Sequence, residues 1–374
     1  MPTVCRTAYR RLPLALCAGA LILAAVPESS YAQSTSRPAS RWSIEIYGGA
    51  ASATDASGGT AGPAFPAGTP FTTASGGPSR IHSSWYFGDG TKLLDQVLGQ
   101  FAIINGTTFS RIVPLDPVVT SAATRRNSGA TFGLRVSRHL SPRLTLEANV
   151  ERSQGSQVLS DAAQTAFEST RDSFKAAFEG LLATAPVTAL SVASTMTVSE
   201  GSASQTRVAA AARWTFVSGT RASAYATVGG GVVMNGGSDL QAVFNGSYSF
   251  RLFGAFPMSE TDRAVVTVTG PSSVVLGLVG GGITYDFSPR SGLRADVRVS
   301  LSPNSDVTTV SGSPSVGTLT PAGVLPSVTS PGIQFSSTTG VPSSLSGAST
   351  TYTTFTGSGL NRQVSFTVGI FRRF

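Results

Sequence analysis

Leu144–Arg152 reads LTLEANVER. Leu144, Leu146, Ala148 and Val150 fall on one parity, Thr145, Glu147, Asn149 and Glu151 on the other. Successive side chains of a strand point to opposite faces, so this segment has one greasy face and one charged face. Two environments suit such a strand: a soluble sheet with one buried face, or a membrane barrel with lipid outside and a polar lumen within. What repeats around the segment decides between them.

Seven more segments carry the pattern. WSIEIYGGA (42–50) sets Trp42, Ile44 and Ile46 against Ser43, Glu45 and Tyr47. ATFGLRVSRH (130–139) sets Ala130, Phe132, Leu134 and Val136 against Thr131, Gly133, Arg135 and Ser137. TRVAAAARWTFV (206–217) opposes Val208, Ala210, Ala212, Trp214 and Phe216 to Arg207, Arg213 and Thr215. In GLRADVRVSL (292–301), Leu293, Ala295, Val297, Val299 and Leu301 oppose Arg294, Asp296, Arg298 and Ser300. QVSFTVGIFRRF (363–374) alternates up to Phe374. SAYATVGGGVV (223–233) and VVLGLVGGGITYDF (274–287) are less regular, because Gly229–Gly231 and Gly280–Gly282 permit bulges that would shift parity.

The links alternate strictly. HLSPR, VSGTR and FSPRSG join strands two to three, four to five and six to seven, while the other connections run over about 51–128, 153–205, 235–272 and 302–360. Tight turns on one side and long loops on the other are what an up-and-down membrane barrel requires. HLSPRLTLEANVER and DFSPRSGLRADVR also resemble each other, as copies of one hairpin unit would. Outward aromatics Trp42, Trp214, Phe216, Tyr285, Phe287 and Phe374 all fall near turn-side strand ends, where an interfacial girdle belongs.

The first residues fit export. Arg6, Arg10 and Arg11 precede LPLALCAGALILAAV, and Ser30, Tyr31 and Ala32 form a small-residue site, which predicts a Sec signal peptide over 1–32 and one domain over 33–374. The apolar run is too short for a spanning anchor and is bracketed by Pro13 and Pro27, and Leu16 is too large to precede a lipidated Cys17. Cys5 and Cys17 both fall in the signal, so the exported chain has no thiol for a disulfide or a metal. The signal carries three Arg and one Glu, so a net charge of +8 becomes +6, spread too thinly for a nucleic-acid stripe.

Together these patterns resemble the small eight-stranded outer-membrane β-barrel family, in its branch with long surface loops. The resemblance covers the strands, and its motifs are patterns rather than fixed residues. It implies an all-β fold: a closed antiparallel transmembrane β-barrel of eight strands, with long extracellular loops carrying short helices. It also implies a Gram-negative outer membrane with both termini periplasmic, outer-membrane lipid as surroundings, and handling by the barrel assembly machinery through the C-terminal strand.

An eight-stranded barrel is only wide enough for side chains to fill. Glu45, Glu147, Glu151, Asp286 and Asp296 are therefore expected to pair in the lumen with Arg135, Arg207, Arg213, Arg294, Arg298 and Arg362. That favours a plugged, non-enzymatic barrel whose loops serve envelope structure, adhesion or an extracellular ligand. LQAVFNGSYSFRL and RAVVTVTG are expected to extend the barrel strands above the membrane; the alternative is a narrow channel, if they span it and raise the count to ten or if the lumen charges separate by sign.

In the loops, Leu93, Leu94, Val97, Leu98 and Phe101 fit one face of a short helix that could cover Trp85, Tyr86 and Phe87. Phe167, Phe174, Phe178 and Leu181 form a second stripe, for capping the barrel mouth or lying on it, or else for entering a membrane or binding a partner. Asn245-Gly246 reads as a hairpin turn, and the Ser/Thr/Gly/Pro-rich stretch 302–358 as a mobile surface segment. A lipid-active enzyme would need a histidine beside a serine and a carboxylate. His82, with Ser83, Ser84 and Asp89 nearby in sequence, is the one candidate, and His139 sits by a turn. No catalytic, cofactor or metal residues are assigned.

Overall fold

The computed structural model describes residues 41–53, 58–73, 76–183, 187–252, 254, 256–316, 332–335 and 342–374. The expected signal peptide and its cleavage site lie outside the described residues.

The chain enters as β1 (Trp42–Ala53) and makes a first excursion through β2 (Gly59–Ala61), β3 (Thr69–Thr72), β4 (Pro78–Ile81), α1 (Asp89–Asn105), α2 (Asp116–Val119) and β5 (Thr124–Arg126). It returns as the hairpin β6 (Gly129–His139) and β7 (Leu144–Ser153). The second excursion is β8 (Ser156–Leu159), α3 (Asp161–Leu182), β9 (Val187–Ser199) and β10 (Gly201–Ser202), followed by the hairpin β11 (Ser204–Ser218) and β12 (Ala222–Gly236). The third is β13 (Leu240–Leu252) and β14 (Phe256–Thr269), before the hairpin β15 (Ser273–Asp286) and β16 (Ser291–Pro303). The fourth holds β17 (Val307–Gly312), β18 (Ser315–Val316) and β19 (Thr350–Gly357), and β20 (Leu360–Arg373) ends the barrel.

Eight strands close in the order β1-β20-β16-β15-β12-β11-β7-β6. β1 pairs antiparallel with both β6 and β20, so no barrel edge is left open. The exterior is apolar and bare: Ile46 is 71% exposed, Val275 66%, Ile370 61% and Val228 60%. Such a belt suits hydrocarbon, where every backbone amide must be paired within the protein, and a closed barrel does that. This is the transmembrane barrel expected from the alternation. Among the described residues no helix is long and apolar enough to cross a membrane.

The triple glycines keep register instead of bulging, since β12 and β15 pair without a break across Gly229–Gly231 and Gly280–Gly282. Their role is space. A Cβ on inward-facing Gly282 would meet the Tyr225 hydroxyl and the Asp296 carboxylate, and one on Gly280 would press on Arg298.

The excursions build a head rather than separate loops. β2, β19, β17, β14, β13 and β9 lie side by side in a second sheet, with β18 attached to β14. β13 and β14 therefore belong to this sheet and not to the barrel, which stays at eight strands. α1 and α3 bury their apolar stripes in one core: Leu93, Leu94, Val97, Leu98 and Phe101 from the first, Phe167, Phe174, Phe178 and Leu181 from the second. Trp85, Tyr86 and Phe87 join them, with rings stacked from Tyr86 through Phe174 and Phe178 to Tyr248. The stripe of α3 is thus used up inside the protein and does not face lipid. Ser160 caps that helix, its hydroxyl accepting from the Ala163 amide.

Two loop expectations are corrected. Asn245-Gly246 sits mid-strand in β13, not at a turn. Gly246 is there because a Cβ would collide with the Phe174 ring and approach the Tyr86 hydroxyl, and the chain reverses instead near Gly254, at φ 69°. The stretch 302–358 is not simply a surface segment either. β17 and β19 pair within the head sheet, and Ile333, Phe335 and Leu345 are buried in its core.

Candidate functional site

The lumen holds one connected ionic cluster, supplied by strands that face each other across the barrel. Arg294 of β16 donates to both oxygens of Glu147 on β7, at 2.6 and 3.1 Å. Glu147 also meets Arg298 at 3.1 Å, Arg213 at 3.2 Å and Arg135 at 3.7 Å. Arg135 in turn reaches Glu45 at 2.9 Å and Asp296 at 2.8 Å, and Arg294 reaches Asp296 at 3.1 Å and Glu45 at 3.4 Å. Three carboxylates and four guanidiniums are thus interleaved instead of separated by sign. Tyr47 and Tyr225 floor the cluster, with Arg135 over the first ring at 4.6 Å and Arg294 over the second at 4.5 Å. The Tyr225 hydroxyl also donates to Asp296.

Above this cluster, Arg207 pairs with Glu151 at 2.9 Å and donates to Gln205 at 3.0 Å. Ala211, Val233, Leu276 and Leu278 pack together on the inward face of the neighbouring strands. At the turn-side mouth Asp286 takes two bonds from Arg373, at 2.8 and 3.0 Å. Two small cavities, of about 30 and 20 Å³, lie where barrel and head meet, both lined by Arg126 and Asn361. Spaces of that size hold about one water.

Arg362 is the exception among the expected lumen residues. It shares the outward parity of Val364, Phe366, Val368 and Ile370 and is exposed. It lies near the head end of β20, between outward-facing Leu360 and Val364 and away from the middle of the strand, where an outward charge costs most. Trp42, Trp214, Phe216, Tyr285, Phe287 and Phe374 are all exposed on the outside at the turn end.

The head contains the second cluster of titratable groups, and the histidine-serine-acid set is not assembled in it. Ser84 donates to Asp262 at 2.8 Å and Ser83 bonds Tyr352 at 3.0 Å. The ring nitrogens of buried His82 have no hydrogen-bond partner among the described residues. Burial, with Arg80 adding to it and Asp89 opposing, pushes the His82 imidazole down to about 4. His139 bonds Thr145 near a turn, at 3.0 Å.

The residues that do organise the head core went unnoticed in the sequence. Asp262 accepts from the Trp85 amide at 2.6 Å, Tyr248 donates to Glu260 at 2.8 Å, and the Trp85 indole donates to Tyr248 at 2.9 Å. Ser343 reaches Glu260 at 3.0 Å, which ties the returning chain to the same acid. Burial lifts the Asp262 carboxyl to about 7, helped by Glu260 and opposed by the Trp85 amide and Ser84. A signal was available: Met258, Glu260, Asp262, Ala264, Val266 and Val268 share one parity, so two acids interrupt an apolar face.

No family model matches the chain, and no curated relative matches it. Among solved structures it is similar to an outer-membrane channel from Pseudomonas putida F1, at 10% identity and a TM-score of 0.22, covering 93% of this chain and 100% of that one. It is also similar to the outer-membrane protease OmpT from Escherichia coli, at 9% identity and 0.23, covering 91% and 99%. The Pseudomonas putida toluene transporter TodX follows at 7% and 0.19, covering 89% and 90%. Likeness this slight transfers no activity to the chain.

Proposed function

We propose that the protein is an integral outer-membrane protein with a blocked lumen, and that its work is non-enzymatic and done by the head: envelope structure, adhesion or partner binding at the cell surface. The turns and both chain termini face the periplasm in this reading, and the assembly machinery receives the chain through β20. The observation that carries it is the Arg294–Glu147 link across the bore, beneath a head with its own aromatic core. Interleaved ion pairs fill the space that an eight-stranded barrel leaves. The edge strand β9 offers a partner thirteen residues without a charged side chain, with Ser191, Thr195, Thr197 and Ser199 exposed.

Planar-bilayer recording of the purified protein is expected to show no stepwise conductance. Reproducible single-channel steps would overturn the blocked lumen. Orientation is read separately, by labelling a Thr195→Cys variant on intact cells with a membrane-impermeant maleimide. Labelling only after the cells are opened would overturn the surface-exposed head.

A further inference from the structure

At the turn end, five neighbouring strand pairs are not joined by a turn; Trp42 and Phe374 close the pair β1 and β20, and an arginine closes each of the other four. The carbonyls of Arg41, Arg143, Arg221 and Arg290 accept from the amides of His139, Thr215, Asp286 and Arg373, at 2.8, 2.8, 2.7 and 2.7 Å. Each of these arginines stands just before a strand that climbs away from that end: β1, β7, β12 and β16. The seam uses only the carbonyl, which any residue would supply. The side chain is therefore free for another task, and the same side chain occurs at all four places.

All four arginines are exposed, and none has a side-chain hydrogen bond or ion pair among the described residues. Outward-facing Arg138 and Arg372 stand beside them, Arg138 lying over the Trp42 ring at 5.5 Å. Among the described residues the one acidic side chain at this end is Asp286, and Arg373 holds it. The result is a ring of unneutralised guanidiniums at the level of the aromatic girdle, where lipid headgroups lie.

We infer that this ring binds the anionic headgroups of phospholipids in the leaflet on the turn side. The inference rests on the transmembrane reading of the barrel. A guanidinium recognises a phosphodiester with charge and paired donors together, and four at barrel seams, spaced around the circumference, engage several lipids at once. An exposed ring of like charge at the headgroup level attracts counter-charge, and an anionic leaflet supplies it.

The test uses the full chain reconstituted in bilayers that contain either brominated phosphatidylglycerol or brominated phosphatidylcholine. Trp42 and Trp214, in the girdle, report on nearby bromine through quenching. The wild-type protein is expected to prefer phosphatidylglycerol by about fivefold or more, a preference that weakens with salt. Replacing Arg41, Arg143, Arg221 and Arg290 together by Gln is expected to bring the preference to parity, and replacing them by Lys to keep most of it. Circular dichroism verifies that each variant is folded; if the fourfold Gln variant is not, Arg143→Gln and Arg290→Gln alone are each expected to lower the preference. Equal quenching by the two lipids, or a preference that survives the Gln changes, overturns the inference. So does Gln-sensitive pelleting with purified peptidoglycan in the absence of a lipid preference, which would make the wall the partner. Failure of the transmembrane reading looks different: the chain would remain native without detergent and would not enter bilayers.

Discussion

Arg294 and Glu147 meet at 2.6 Å from strands that share no hydrogen bond, with β15, β12 and β11 between them on one side of the barrel and β20, β1 and β6 on the other. This contact spans the lumen, and it binds opposite walls together in a way the backbone ladder does not.

Removing the acid at its centre should be costly. Glu147→Gln leaves Arg135, Arg213, Arg294 and Arg298 close together with one compensating charge fewer. Breaking a buried ion pair from one side costs about 3–5 kcal/mol. Urea unfolding in lipid vesicles should show a loss of that order, and a midpoint equal to wild type would mean that the cluster carries no stability.

The inward glycines should differ sharply from an outward one. Gly282→Ala drives a methyl group into the Tyr225 hydroxyl and Asp296, while Gly277 has nothing within 4 Å of an added Cβ. Overpacking of this kind costs about 1–3 kcal/mol. The same unfolding assay should register Gly282→Ala and leave Gly277→Ala near wild type; equal effects would contradict the space-making role.

Truncation in the head core should act on the head alone. Phe178 stacks on both Phe174 and Tyr248 and faces Trp85. Phe178→Ala is expected to cost about 3–5 kcal/mol. Trp85 is the one buried tryptophan, whereas Trp42 and Trp214 are exposed in the girdle. Its fluorescence should therefore change at lower urea than in the wild type while barrel circular dichroism persists. Simultaneous loss of both signals at the wild-type midpoint would argue against a separate head core.

Two head groups give opposite pH slopes. Asp262, raised from 3.8 to about 7, favours the folded head while protonated, so its contribution is present below about pH 4 and fades as the pH rises through 7. His82, lowered from 6.5 to about 4, favours the folded head while neutral, so its contribution fades as the pH falls from about 6.5 to 4. Trp85-monitored stability of Asp262→Asn should rise relative to the wild type as the pH goes from about 4 to 7, because the variant lacks the decline that Asp262 contributes there. If the difference between the two proteins is constant across that interval, Asp262 does not hold its proton in the fold.

The chemistry of each strand could be read from the residues alone. Period-two alternation in LTLEANVER and GLRADVRVSL places Glu147, Arg294 and Asp296 on the lumen side, because an outward charge near the bilayer centre is costly. Short links between alternate segments gave the up-and-down order. Helix stripes such as Phe167, Phe174, Phe178 and Leu181 were equally legible, since a period of 3.6 needs no partner to be recognised.

Partners were another matter. β13 alternates as a barrel strand does, and it left the barrel because α3 and the Trp85 segment cover its inner face, which no local pattern records. Asn245-Gly246 looked like a turn because a glycine that makes room for a ring is indistinguishable, along the chain, from one that reverses it. Periodicity thus determined which face of each element is apolar, a property of the residues themselves. Only the tertiary structure decided what each face meets, because that depends on which distant segments the closed barrel and the head bring within contact of one another.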